Sequence, residues 1–144
     1  MTLNDFLQAI ADRLRAIWPD KTVHVDQIPR DADGQFFVGI IESGQTKHLD
    51  RRRKRTVQFE VLYFLRKGDN LAFNAWAEQM YDSFEVLDVR AGDGTREVRL
   101  TGQTARDGQN ERVFQFLFDA DFFVRQAPEE APMMETLQQT EAIQ

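Results

Sequence analysis

The sequence predicts an α+β fold in the order α-β-β-β-α-β-β-β, a mainly antiparallel sheet with two helices packed on one face. Two segments repeat their apolar residues at helical spacing, and six others read as strands by alternation or by β-branched and aromatic content. The strands come in runs separated by turn residues. Strict strand-helix alternation, which a doubly wound nucleotide fold needs, is missing, as are the GxGxxG and GxxxxGK(S/T) glycine spacings of phosphate loops.

The first element is a helix, because Leu3, Phe6, Leu7, Ile10, Ala11, Leu14, Ile17 and Trp18 fall on one face. Thr2 with Asp5 three residues on resembles a capping pair, and Pro19 ends the helix. Thr22 to Asp26 alternates around Val23 and Val25, and Gln35 to Glu42 is a β-branched and aromatic run; Pro29 and Asp33-Gly34 mark the turn between them. A polar, basic stretch from Ser43 to Lys54 follows and reads as a loop. Arg55 to Leu65 is a long strand with Val57, Phe59, Val61, Tyr63 and Leu65 on one face and Thr56, Gln58, Glu60, Leu62 and Phe64 on the other.

After a break at Lys67-Gly68-Asp69-Asn70, the spacing of Phe73, Trp76, Ala77, Met80, Tyr81 and Phe84 predicts the second helix, with Asn70 or Asp69 as cap. Glu85 to Ala91 is a short strand, Gly92-Asp93-Gly94 a hairpin signal, and Thr95 to Thr104 alternates around Val98 and Leu100. A turn over Arg106 to Asn110 leads to the last strand, Glu111 to Arg125. Phe114, Phe116, Phe118, Ala120, Phe122 and Val124 share one of its faces, and Val113, Gln115, Leu117, Asp119, Asp121 and Phe123 the other.

The length of 144 residues with 42% apolar content fits one domain, residues 1–126, followed by an acidic C-terminal tail, 127–144. That tail holds Glu129, Glu130, Glu135 and Glu141 with no Lys or Arg, so it carries −4 of the net −6. Its composition predicts a flexible segment whose Met133, Met134, Leu137 and Ile143 are available to a partner. The near-balanced body argues against a dedicated duplex-DNA binder. The apolar runs are too short to span a bilayer, and the start lacks the pattern of a secretory signal, so the expected compartment is the cytoplasm.

Chemistry finds little to work with. The chain has no cysteine, which excludes disulfides, thiolate metal sites and cysteine nucleophiles, and only two histidines, His24 and His48, neither in a cluster of ligand spacing. Ser43 and Ser83 lie outside any nucleophile-elbow sequence. Asp119 and Asp121 share a strand face about 7 Å apart, a pair able to hold a divalent cation or to act as acid and base. Their setting among large apolar residues fits a solvated strand face better. No catalytic, metal or cofactor site is therefore expected.

Two features point to assembly. Arg51, Arg52, Arg53, Lys54 and Arg55 make a concentrated basic run in an acidic protein. It is read either as a solvated loop or as a docking element for an acidic surface on another protein or on a second copy of this one; nucleic acid fits less well, because no aromatics are interleaved. The second is the sheet face that two helices on the opposite side leave uncovered, where Leu62, Phe64, Leu117 and Phe123 await either the 43–54 loop or another subunit.

Several segments resemble the phage tail terminator family of tailed phages and prophages. They are Met1-Thr2-Leu3-Asn4-Asp5 leading into an amphipathic helix, Lys54-Arg55-Thr56 with Phe59, Val61, Tyr63 and Phe64, Ala77-Glu78-Gln79-Met80-Tyr81, and Asp119-Ala120-Asp121-Phe122 in an aromatic closing strand. The likeness spans residues 1 to about 125, and the acidic tail with Met133-Met134-Glu135-Thr136-Leu137 is similar to the family's charged extension. The resemblance implies a non-enzymatic virion protein that needs no cofactor. It implies a ring, typically a hexamer, on the head-proximal end of the tail tube, assembled in the bacterial cytoplasm. Such a ring stops tube polymerisation and joins the tail to the head; its partners are further copies of itself, the tail tube protein and the head-tail connector, with DNA passing its lumen and no membrane involved. The positive charge at 51–55 is denser than the family's pattern. Three other readings stand beside this one: a head-tail adaptor or neck protein, a small metal-dependent enzyme using Asp119 and Asp121, and a monomeric ligand-binding module.

Overall fold

The computed structural model describes residues 1–67, 69–92, 94–108 and 113–125. The elements follow the expected order: α1 (Leu3–Ile17), β1 (Val23–His24), β2 (Phe36–Lys47), β3 (Arg52–Phe64), α2 (Asn70–Ser83), β4 (Val86–Ala91), β5 (Gly94–Gly108) and β6 (Val113–Arg125). The strands form one curled sheet in the order β1-β2-β3-β6-β5-β4. Every neighbouring pair is antiparallel except β1 with β2, which run parallel.

The cap of α1 is reciprocal: the Asp5 N–H donates to Thr2 Oγ1 at 3.1 Å and the Thr2 N–H to Asp5 Oδ2 at 2.9 Å. Two of the helix's otherwise orphaned donors are satisfied this way. Asp69 caps α2, accepting from the Ala72 N–H at 2.8 Å.

Both helices cover the same sheet face. Phe6 of α1 stacks against Phe59 of β3 and Phe122 of β6, with ring centroids 4.8 and 5.2 Å away. Trp76 of α2 lies 5.6 Å from Phe114, and Phe84 just past the helix stacks on Phe118 at 5.6 Å. The Arg13 guanidinium donates to the Ser83 carbonyl and ties the helices together. Aromatic rings thus supply most of the large buried side chains, joined by Ile10, Leu14, Met80 and Leu87.

The structure departs from the sequence reading in three places. The 43–54 stretch is not a loop: past a bulge at Ile40/Glu42, β2 continues to Lys47 and pairs in register from Ser43↔Val57 to Lys47↔Arg53. The turn is closed by His48 N–H to the Arg52 carbonyl at 2.9 Å and by Arg52 N–H to the Leu49 carbonyl at 3.2 Å. β1 is only two residues long, and its parallel pairing replaces the expected turn with a crossing connection over residues 25–35. β5 runs on to Gly108, through residues expected to begin a turn, past a bulge between Thr101 and Thr104. Gly102 permits that bulge: its φ is +64°, and a Cβ there would stand 2.6 Å from Asp119 Oδ2. The expectations for Gly68, Asp93, the turn as far as Asn110, the start of the last strand at Glu111, and the 127–144 tail lie outside the described residues.

Candidate functional site

The basic run sits at the end of the sheet where β2, β3 and β6 continue together. Strand alternation divides it. Arg52 and Lys54 share the outer face with Phe123, Asp121 and Arg125, while Arg53 and Arg55 share the helix-bearing side with Phe122 and Val124. Arg51 lies in the turn with Asp50, both at φ 60°. Residues 41–51 are exposed throughout, and in 52–56 and 121–125 only Phe122 is buried. We call this three-stranded extension the arm; from Arg52 to Thr56 it runs about 14 Å.

The outer face of the arm is held by charge and by one aromatic ring. The Arg52 guanidinium stacks over Phe123 at 4.1 Å, and His48 meets the same ring edge-on at 5.4 Å. Arg125 pairs with Asp50 at 2.8 Å, and Lys54 with Asp121 at 3.7 Å. All are exposed or half-exposed contacts, which fix side-chain direction more than they stabilise the fold.

The four apolar residues expected to form one uncovered patch are not brought together. Leu117 is only 7% exposed within the single chain, flanked in register by Glu60 of β3 and Thr104 of β5, and offers almost no surface. Phe123 is half-buried beneath Arg52 and His48 at the arm. Leu62 and Phe64 lie at the other end of the sheet: Gln115 is the partner of Leu62, and Phe123 is eight residues further along β6, about 27 Å. There Leu62 and Phe64, both half-buried, line a groove of about 470 Å³ with Val113, Glu60, Gln115 and Ile28. Ile28 belongs to the 25–35 connection, so that segment shields this end, and not the 43–54 stretch.

Asp119 and Asp121 do share the outer face as expected, but each has a local neighbour: Asp121 pairs with Lys54, and Asp119 packs beside Gly102. Among the described residues no group of three His, Asp or Glu side chains is placed to hold a metal ion. His24 is bonded to Gln35 at 2.7 Å, remote from His48 at the tip of the arm.

One surface residue escaped the sequence reading. Leu49, at the tip of the arm between His48 and Asp50, is 89% exposed. The signal was present, since Leu49 is the one apolar side chain between Ile41 and Val57, but a leucine in a presumed loop carries no face assignment. An exposed apolar tip ringed by charge is the composition of a protein-docking element, in which the apolar group anchors and the charges orient.

The chain was compared with known proteins. No curated protein sequence matches it. A solved structure, of a protein whose name describes no function, aligns with a TM-score of 0.50 at 15% identity, covering 88% of this chain and 94% of that one. At that identity the likeness concerns the fold alone. A family model described as phage tail terminator protein matches residues 5–132.

Proposed function

The chain belongs to the phage tail terminator family and is a structural protein of the phage tail, and from that premise we propose that it forms a closed ring on the end of the tail tube. The ring stops tube polymerisation and presents the surface to which the head connector joins. The observation that carries this reading is the family match over 5–132, which spans nearly all of the described fold.

A ring needs two different complementary surfaces on each subunit, because only a head-to-tail contact whose rotation closes gives a ring instead of a filament. The arm supports one of them: Arg51, Arg52, Arg53, Lys54 and Arg55, with Leu49 at the tip, reach beyond the helix-covered core. The groove at Leu62 and Phe64 is the second candidate surface, turned to the tube or the connector, and Phe123 enters the contact through Arg52. Leu117 has no part in it.

Mass measurement of the purified protein across a salt series tests the proposal. A discrete oligomer at low salt that dissociates as salt rises supports a ring held partly by charge; a monomer at every salt and concentration refutes it. Phage lacking the protein should make overlong or unjoined tails. Normal-length tails beside unattached heads would favour the head-tail adaptor reading.

A further inference from the structure

The sheet ends in two open strand edges. β4 is last in the strand order, and no strand pairs with its far side among the described residues. At the other end β1 covers β2 only at Phe36 and Phe37, so β2 past its bulge, from Glu42 to Lys47, is open on the side away from β3. An open edge presents backbone N–H and C=O groups that another strand can take up. Neither stretch contains proline, and β4, with 6 residues, equals residues 42–47 in length.

Hydrogen-bond phase fixes how these edges can meet. The Glu85 carbonyl accepts from the Leu100 N–H at 2.8 Å, and the His48 N–H donates to the Arg52 carbonyl at 2.9 Å. Alternation from those bonds turns the backbone groups of Val86, Asp88 and Arg90 to the free edge of β4, and those of Ser43, Gln45 and Lys47 to the free edge of β2. Leu87 and Val89 are buried in the core, so Val86, Asp88 and Arg90 carry their side chains on the outer face. Ser43 is opposite the buried Val57, so Ser43, Gln45 and Lys47 carry theirs on the helix side. Four antiparallel pairings separate β2 from β4, and the two therefore run in the same direction. A second copy brought up with its helices on the same side lays its β2 parallel to β4, with Gly44 beside Asp88 and Thr46 beside Arg90. In a parallel pair a residue bonds to the two that flank its opposite number. Around Gly44 those are Ser43 and Gln45, whose groups face the open edge. An antiparallel meeting would set Asp88 opposite Ser43 or Gln45 and put the helices of the two copies on opposite sides of the sheet.

Charge agrees with this placement. α1 and β4 wall a groove of about 410 Å³ that holds three carboxylates, Asp5, Asp12 and Asp88, against two arginines, of which Arg13 is committed to the Ser83 carbonyl. The helix side of the arm carries Lys47 and Arg55. Among the described residues no ion pair involves Asp88 or Lys47. We propose that the free edge of β4 receives residues 42–47 of the next copy as a parallel strand, so that one sheet runs on from subunit to subunit. The inference rests on the ring reading and names the surface that faces the arm. Each neighbour uses a different edge, which makes the contact head-to-tail, and main-chain bonds supply what the arm lacks in apolar area.

The chain has no cysteine, so introduced thiols are the only ones present. Arg90→Cys is combined, in separate full-length proteins, with Glu42→Cys, Gly44→Cys and Thr46→Cys on the outer face, and with Gln45→Cys on the other. On oxidation of the assembled protein at least one outer-face combination should link neighbouring copies, since facing residues of paired strands lie within disulfide range; the Gln45→Cys combination should not. An oligomer by mass measurement in which no outer-face combination links, or only Gln45→Cys does, overturns the edge pairing and leaves the ring reading standing. A monomer at every salt and concentration removes both. Asp88→Pro gives a second readout: it deletes an N–H turned to the free edge and spares the bonds to β5. Assembly should weaken at least about tenfold, with the melting temperature lowered by less than about 5 °C. Undiminished assembly of that variant overturns the proposal as well.

Discussion

Replacing Arg51, Arg52, Arg53 and Lys54 together by Gln separates folding from assembly. Two contacts dominate what the fold loses among the described residues. Arg52 over Phe123, at 4.1 Å, contributes about 0.5–1 kcal/mol at an exposed site. Lys54 with Asp121, at 3.7 Å with both side chains well exposed, contributes less than about 1 kcal/mol. Removing the repulsion between Lys47 and Arg53 offsets part of this, leaving a net loss of roughly 1 kcal/mol. For a domain of this size that lowers the melting temperature by about 3–5 °C. Assembly loses four positive charges from one surface, and the ring should weaken at least about tenfold near physiological salt. The difference should vanish near 1 M salt, where charges are screened within about 3 Å. Thermal melting, mass measurement and tail length in a complemented phage read the three quantities separately. Unchanged ring formation and tail length would remove the arm from the interface. A melting temperature lower by more than about 10 °C would show that the arm holds the fold together, against the contact strengths used here.

Three further outcomes follow from the geometry. Phe6→Ala empties a site stacked on Phe59 and Phe122 and should destabilise the protein by about 3–5 kcal/mol in chemical denaturation; a loss under about 1 kcal/mol would mean that α1 is not packed as described. Gly102→Ala places a Cβ against Asp119 at a positive φ and should cost about 1–3 kcal/mol, part of which Asp119→Ala in the same chain recovers. Addition of Mg²⁺ or Mn²⁺ should leave the melting temperature where it is, since a cation bound to the native state would raise it by mass action; a rise abolished by Asp119→Asn with Asp121→Asn would restore the metal-enzyme reading.

The core was legible because one face of each element is buried and the other is not. Phe6, Ile10 and Leu14 recur at helical spacing and Phe114, Phe116 and Phe118 at strand spacing, and all six are buried where those periods place them. Thr2 and Asp5 were readable as a cap because the interaction is local in sequence. The arm was not readable as strand, because residues 43–47 and 52–54 bury neither face, and a strand wet on both sides shows no apolar alternation. Its pairing is inherited from the register of the buried half of β2 and β3. β5 beyond Thr104 was missed for a related reason: the bulge at Gly102 breaks the alternation that marked the strand before it.

The outer sheet face shows where periodicity stops being informative about assembly. Alternation correctly set Leu62, Phe64, Leu117 and Phe123 opposite the helices, but what lies over each is a matter of tertiary neighbours that no local pattern encodes. Leu117 is enclosed by its own sheet, Phe123 by a guanidinium and an imidazole, and Leu62 and Phe64 partly by Ile28 from a distant connection. A subunit that already shelters this much of its apolar face needs its neighbours less for burial than for positioning. In the proposed ring, contacts made by an exposed, charged arm with a single apolar tip would suit that need: they would steer and orient copies, and would be weak enough one at a time to be reversed before the ring closed. Salt should therefore act on how readily rings form more than on the stability of the subunit. A melting temperature that falls with added salt as steeply as ring formation does would contradict this division of roles.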